Sequence, residues 1–399
     1  MVGTKKSGIV VMIACAVIGV ALTLNYMEMW RDDIIIPGPG VSEVKWLSDY
    51  YPELRGTLGD TRLYFMRGKE PGGKFLVLGG THCDETAGEV SALVLVEHAI
   101  VKKGTVIVVP QMNNSGWTNN YPQEAHPQFI HLPTADGNQR TLRLGSREGN
   151  SGELWPDPEV FVQYPHRQRY SGEEIRNPNR SWPGRPNGTF EEMVTYGFQM
   201  LHRQEHIDMQ VDMHEGQPEY PFINALSSHK RAADLGSAAV LEMQMHDLNI
   251  GMETSPTAFR GLSNLEMGDQ FKDLYAFTSE TVNPLQGKFR GITDEFLTVD
   301  GVDAFYTKAA KLGKLFAPWP EGGSPLKLRV GRDLQEIQAL TTALHDTTGI
   351  DIEWESIPDY KDLMEHGVGY YLNPLPPGGI RKPAIRALPG FWRYISKAW

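Results

Sequence analysis

The sequence predicts an α/β fold, a sheet with helices on its faces. Short apolar runs rich in strand-forming residues, FLVLGG at 75–80 and TVIVVP at 105–110, bracket a helix-like pattern from Glu89 to Val101. The same alternation returns as a helix pattern over Phe190–Arg203, the strand-like MQVDM at 209–213, a helix pattern over Ala232–Asp247 and the strand-like LYAFTS at 274–279. Strands alternating with helices of this length describe a sheet covered by helices. With 399 residues, 40% of them hydrophobic and 22% charged, the chain can bury a sizeable core.

The elements follow in order. Lys5 and Lys6 precede the uncharged run Ser7–Leu24 (SGIVVMIACAVIGVALTL), and residues 1–33 are expected to form a single membrane anchor. The run is at the lower limit of the ~20 residues that a span requires. Lysines on the short N-terminal side place the body outside the cytoplasm. A cleaved signal peptide is the competing reading, although no A-x-A site closes the run. IIIPGPG at 34–40 reads as a stiff linker to a main domain over 41–316. Residues 111–187 are rich in Asn, Pro, Gly and Arg and are expected as long loops. A further helix is predicted over Gly301–Leu315, and APWPEGGSP at 317–325 marks a boundary. Beyond it, LKLRV, DLQEIQALTTALHDT and IDIEWE suggest a small strand-helix-strand module over 326–399. Its tail ends in FWRYISKAW, whose aromatic and basic residues could touch a membrane surface or pack on the main domain.

A net charge of -11 argues against general affinity for nucleic acid or anionic lipid. The expected partner is a small or peptidic substrate. Cys15 and Cys83 are the two cysteines, which excludes a disulfide framework and leaves histidine and carboxylate as the ligands for any metal.

Three polar clusters end predicted strands: His82 and Glu85 after FLVLGG, Asp212 and His214 with MQVDM, and Glu280 after LYAFTS. In open α/β sheets ligands bind outside the carboxyl ends of strands, so these clusters can converge. A hydrolytic zinc site takes three protein ligands and keeps one position open, and two histidines with a glutamate are one such set. His82 and Glu85, three apart at a strand-to-helix turn, can both reach one ion. Among 12 histidines and 49 acidic residues an H-x-x-E pair alone also arises by chance. His214 alone could equally be a hydrogen-bonded core or surface histidine, with Asp212 beside it to orient the ring.

Taken together, the H-x-x-E pair, the D-x-H at 212–214, N-R-x-W-P-G at 179–184 and T-x-E-T at 278–281 resemble the zinc carboxypeptidase superfamily. Within it the likeness is to the succinylglutamate desuccinylase and aspartoacylase branch, and it runs from about Phe75 to Pro284. The resemblance implies a mixed twisted sheet flanked by helices and one zinc ion held by His82, Glu85 and His214. It implies Glu280 as the general base that later protonates the leaving amine, and Asn179 and Arg180 as binders of the substrate carboxylate. These roles suit the residue types. Zinc can lower the pKa of water from ~15.7 to about 7, a nearby glutamate can take the proton, and an arginine fork matches a carboxylate.

Other residues stay open. Arg176 either contacts the substrate's carbonyl or anion or is a solvated loop residue, and spacing does not choose among Arg143, Arg147, Arg167 and Arg169. Asn283 either supports the site or only turns the chain before Pro284, and Glu215 points away from His214 if the strand continues. Cys83 would need a histidine as base to be a nucleophile, and His82 is better used as a ligand, so Cys83 is expected to fill the turn. Asp84 stands where peptide-trimming carboxypeptidases have arginine, and no tyrosine occurs between Tyr220 and Tyr275. Both departures direct the expectation to a zinc hydrolase cleaving an amide next to a carboxylate in an N-acyl amino acid. A metallocarboxypeptidase acting on peptides or cell-wall fragments and a non-catalytic binding module are the alternatives.

Overall fold

The structure, a computed structural model, describes residues 5–121 and 124–376. The first helix, α1 (Lys5–Met27), carries no buried residue, and the stretch Lys5–Trp30 is long and apolar enough to cross a membrane, a test that a signal sequence also passes. The body begins immediately after it. Met29 is buried, Asp33 pairs with Arg143 at 2.7 Å, and the Gly38 amide donates to Val96 O at 2.9 Å. Residues 28–40, expected as the end of the anchor and a stiff linker, are therefore bound to the body by buried polar contacts.

The central sheet is mixed. Its strands are β1 (Glu43–Trp46), β2 (Arg62–Arg67), β3 (Glu70–Leu78), β4 (Ile100–Val109), β9 (Met209–Gly216), β10 (Ala225–Ser228), β11 (Gly251–Thr254) and β12 (Tyr275–Val282). Their order is β1-β2-β4-β3-β9-β12-β10-β11, with β13 (Glu353–Glu355) added beside β4. The segment 111–187 holds two small hairpins, β5 (Phe129–Pro133) with β6 (Gln139–Arg143) and β7 (Val160–Val162) with β8 (Arg169–Ser171). The pairs β4/β3, β3/β9 and β9/β12 are parallel.

Side chains alternate between two layers, as the period of a strand requires. Phe75 and Val77 of β3 join the core under α2 (Thr86–His98), α4 (Ala233–Met245) and α8 (Leu326–Thr348), whereas Leu76 and Leu78 join the core under α3 (Phe190–Glu205). All four are fully buried, and burying such a side chain is worth roughly 1.5–3 kcal/mol. Helix α3 opens on a capping box, in which Thr189 accepts from the Glu192 amide and Glu192 accepts from the Thr189 amide. The short helices are α5 (Ser263–Gln270), α6 (Glu295–Val299), α7 (Ala304–Lys311) and α9 (Tyr360–His366). The helix expected over Gly301–Leu315 is thus confined to α7, with α6 as a separate turn before it.

The region expected as a separate C-terminal module is part of the body. LKLRV is not a strand but the opening of α8, a 23-residue helix. Leu326, Val330, Leu334, Ile337, Leu340 and Leu344 form one stripe at three- and four-residue spacing, and that stripe enters the same core as Val77 and Val211. IDIEWE contributes β13 to the central sheet. The tail FWRYISKAW lies outside the described residues.

Candidate metal centre

The register of three adjacent parallel strands assembles the centre. Leu78 of β3 is level with Asp212 of β9, and His214 of β9 is level with Glu280 of β12. Met209, Val211 and Met213 face the α2 and α8 layer. Gln210, Asp212 and His214 therefore face the other side, at the carboxyl end of the sheet. Beyond β3 the chain turns sharply into α2. Gly80 has φ +65° there, and a side chain at Gly88 would place its Cβ 2.5 Å from Met213 O. Glycine is needed at both positions, and the turn brings His82 and Glu85 over β9.

The donors meet directly. His82 Nδ1 lies 2.7 Å from Glu85 Oε1, His214 Nδ1 lies 2.8 Å from Glu85 Oε2, and the two Nδ1 atoms are 3.2 Å apart. All three residues are buried, and one ligand atom from each falls within a 4.8 Å cluster. Burial, then the charge of Arg147, pushes His82 down to about 4, which keeps its lone pair free. Burial disfavours charge on His214, but Asp212 and Glu85 outweigh it and push the imidazole well up. Asp212 and Glu85 thus favour positive charge at His214, and the set, two nitrogens and a carboxylate, suits zinc.

The outer nitrogens are also held. His82 Nε2 is 3.0 Å from Asn177 Oδ1, and His214 Nε2 is 3.1 Å from Asp212 Oδ2. Asp212 in turn accepts from Thr81 Oγ1 at 2.7 Å and Ser263 Oγ at 2.6 Å. With these acceptors Nε2 of each ring carries a proton and Nδ1 faces the shared centre. Gln286 donates to Glu85 Oε1 at 2.9 Å, and Asn283 Nδ2 donates to Asp84 O at 2.9 Å, which fixes the ligand turn from the β12 side.

A cavity of about 1220 Å³ opens over the donors and is lined by Arg147, Asn179, Arg180 and Glu280 as well. Burial pushes the Glu280 carboxyl up to about 8, with His214 opposing and Glu85 adding to the shift. Arg180 lies over the rings of Phe259 (4.5 Å) and Tyr170 (5.4 Å). Its Nη1 donates to Asn179 O at 2.7 Å, while its buried Nε makes no hydrogen bond among the described residues and faces Glu174 Oε2 only at ion-pair distance, 3.8 Å. A buried guanidinium with an unused donor beside a cavity can take an anion.

Some expectations change. Arg176, expected at the substrate, borders the cavity, but Asp157 takes its Nε (2.9 Å) and Nη2 (3.0 Å) and Gly149 O takes its Nη1 (2.9 Å). Arg147 is the loop arginine that reaches the donors, 3.2 Å from His82 Nδ1. Arg143 is buried against Asp33, and Arg167 and Arg169 are exposed. Glu215 turns to Arg329 at 2.6 Å and to the Ala87 amide at 3.1 Å. Cys83 is fully buried, burial pushes its thiol up, and Sγ donates to Asn113 O at 3.2 Å. Asn177 was missed, although an Asn before Pro178 is a recognisable cap for the turn that carries Asn179 and Arg180.

No protein-family model and no curated protein matches the sequence. Solved structures similar to it include the cell shape determinant Csd4 from Helicobacter pylori (14% identity, TM-score 0.43, covering 76% of this chain) and a succinylglutamate desuccinylase from Silicibacter (17%, 0.37, 75%). A metallo-carboxypeptidase from Burkholderia cenocepacia is also among them (14%, 0.38, 61%). This chain spans 58%, 64% and 56% of those three chains, less than two thirds of each.

Proposed function

We propose that this chain is a zinc-dependent hydrolase that cleaves an amide bond next to a substrate carboxylate, in an N-acyl amino acid. The observation that carries the reading is the convergence of His82 Nδ1, Glu85 and His214 Nδ1, with Glu280 level with His214 on the next strand. One zinc ion in this set would supply Lewis acidity, polarising a carbonyl and making water acidic enough to lose its proton near neutral pH. Glu280 takes the proton of the attacking water on its carboxylate and returns it to the leaving nitrogen. A carboxyl that burial raises towards neutrality is matched to both transfers. Arg180 and Asn179 hold the substrate carboxylate at the cavity wall, and Arg147, next to His82, is placed to donate to the oxygen that gains negative charge. Asp212 and Asn177 keep the two imidazoles in orientation.

The cavity favours a second reading, a metallocarboxypeptidase acting on a peptide. At about 1220 Å³ it exceeds the ~300–1,000 Å³ usual for small-molecule pockets, so it has room on the acyl side for more than a simple acyl group. In either reading α1 is the single N-terminal span and the catalytic body is extracytoplasmic.

The test is metal analysis of the purified full chain together with turnover on matched panels of acyl amino acids and short peptides. Glu280→Gln should keep its zinc and lose about 10²–10⁴-fold in turnover, the usual contribution of a positioned acid-base group. Failure to bind zinc, or a Glu280→Gln variant as active as the parent, would refute the mechanism. Rapid peptide trimming without deacylation would replace the first reading with the second.

A further inference from the structure

The body carries one apolar surface that the proposed chemistry does not use. Phe289, Ile292, Phe296, Phe305, Leu312 and Phe316 lie within 28 residues of sequence and are each between 43% and 75% exposed. They are not scattered. A Cβ on Gly291 would stand 3.1 Å from the Phe305 ring, which brings α7 against the segment bearing Phe289 and Ile292. The Phe316 amide donates to Pro218 O at 3.2 Å, and Glu219 Oε1 accepts from the Phe289 amide at 3.0 Å. The loop between β9 and β10 is therefore joined to the same surface, and its exposed Tyr220 and Phe222 line the cavity. Apolar surface thus runs from the cavity mouth to α7.

Charge indicates what covers it. The chain as a whole has a net charge of -11, yet Ala304–Phe316 contains Lys308, Lys311 and Lys314, all exposed, and no acidic residue. Lysine interleaved with phenylalanine and leucine on a short helix suits the boundary of an anionic bilayer, where rings enter the acyl region and ammonium groups stay among headgroups. It suits a self-complementary protein interface poorly, because lysine is depleted from interface cores and two copies would bring like charges together.

The position of α1 agrees. Arg143, whose guanidinium binds Met29 O at 3.0 Å and Asp33 at 2.7 Å, holds the chain where it leaves α1. The next residue, Leu144, packs with Leu297 of α6. The chain leaving α1 and the buried side of α6 thus pack on consecutive residues at the end of β6.

We infer that the face formed by α7 and the 217–222 loop, and not α6, whose Asp294, Glu295 and Asp300 are acidic, rests on the anionic lipid surface of the membrane that α1 enters, so that the cavity opens at the bilayer. The inference rests on α1 being a span, and the experiment separates the two. The full chain carrying Cys15→Ser, with Cys83 buried, receives a nitroxide at Leu312→Cys or, as a control, at the exposed Leu241→Cys of α4. It is reconstituted into phosphatidylcholine nanodiscs with and without phosphatidylglycerol, and collision with oxygen and with a nickel chelate is measured. With phosphatidylglycerol the label at 312 should become shielded from nickel and open to oxygen, while the label at 241 stays in water. Each lysine near the surface is worth about fivefold in partitioning, so Lys308→Glu, Lys311→Glu and Lys314→Glu together should return the 312 label to water. Nickel access at 312 in phosphatidylglycerol discs overturns the inference. Label-to-label dipolar broadening with shielding from both reagents overturns it too, in favour of a second copy of the chain. Loss of the chain from vesicles under carbonate, with the 312 label still shielded in discs, would sink the span alone.

Discussion

Replacement of Asn177 by alanine tests whether the geometry around the donors, and not the ligands alone, sets metal affinity. Asn177 is fully buried, and its Oδ1 accepts from His82 Nε2 at 3.0 Å and from the Asn179 amide at 2.8 Å. Its Nδ2 donates to Glu174 Oε2 at 2.6 Å. Alanine leaves two buried donors without an acceptor, each costing about 1–3 kcal/mol, so the metal-free protein should lose roughly 2–6 kcal/mol before relaxation and water entry reduce the loss. The freed His82 ring can also rotate or carry its proton on Nδ1, where it no longer serves the metal. Loss of such a supporting hydrogen bond typically weakens metal binding 10- to 100-fold, or about 1.4–2.7 kcal/mol. Competition for zinc against a chromogenic chelator reads the affinity, and thermal melting with and without chelator reads the stability. Asn179→Ala is the control. Its Nδ2 is 3.4 Å from His214 Nε2, at the limit of a contact, so that substitution should raise KM and leave zinc affinity nearly unchanged. A folded Asn177→Ala variant that binds zinc as tightly as the parent would refute the argument, because His82 would then be oriented by something else.

Three further outcomes follow from the same contacts. Arg180→Lys keeps the charge but loses the fork and its stacking on Phe259, and kcat/KM should fall roughly ten- to a hundredfold, as a charge-assisted hydrogen bond is worth about 1.5–3 kcal/mol; an equal fall on a substrate with its carboxylate amidated would refute the role. Glu191, buried at the start of α3, is pushed up to about 8 by burial, with Glu153 adding and Arg176 opposing. Its unfolded value is near 4.3, so between about pH 4.3 and 8 the folded chain binds more protons than the unfolded one, and stability falls with rising pH by up to roughly 1.4 kcal/mol per unit. Glu191→Gln should flatten that slope in denaturant titrations at pH 5 and pH 8, and parallel profiles would count against it. Cys83→Ala should retain turnover, and iodoacetamide at neutral pH should leave the parent active, because the thiol is buried and held protonated; inactivation by alkylation would restore the nucleophile reading.

The parts of the centre that sequence made legible are those tied to strand ends. The polar residues that follow FLVLGG and MQVDM, and the glutamate after LYAFTS, stand in short-range patterns. The rule that parallel strands present ligands at their carboxyl ends was enough to bring them together. Arg147 was not legible for the opposite reason. It sits in a segment that holds three other arginines within 27 residues, and its place is set by the pairing of β5 with β6 and by Ser146, whose carbonyl accepts the Cys83 amide at 3.1 Å. Contacts between residues more than sixty apart leave no local pattern. LKLRV failed differently. Five residues alternating apolar and basic fit a strand, but Leu326 and Val330 also continue a helical stripe through Leu334 and Ile337, and the longer pattern prevails because it buries one continuous face.

The place of α8 in the core supports the centre. Arg329 in its first two turns holds Glu215 at 2.6 Å, and Glu215 accepts the Ala87 amide at 3.1 Å, in the first turn of the helix that follows Glu85. The Glu215 amide donates to Glu85 Oε2 at 3.0 Å. Within β9 the two directions of the chain thus divide the work, His214 facing the donors and Glu215 fixing the helix that begins after one of them. A free C-terminal module could not supply this contact reliably, whereas a helix built into the core does. Truncation before Leu326 should therefore remove both the cation that holds Glu215 and the apolar stripe that α8 places in the core. Loss of metal binding should accompany loss of folding, and a truncated chain that folds and binds zinc normally would show that α8 is dispensable to the centre.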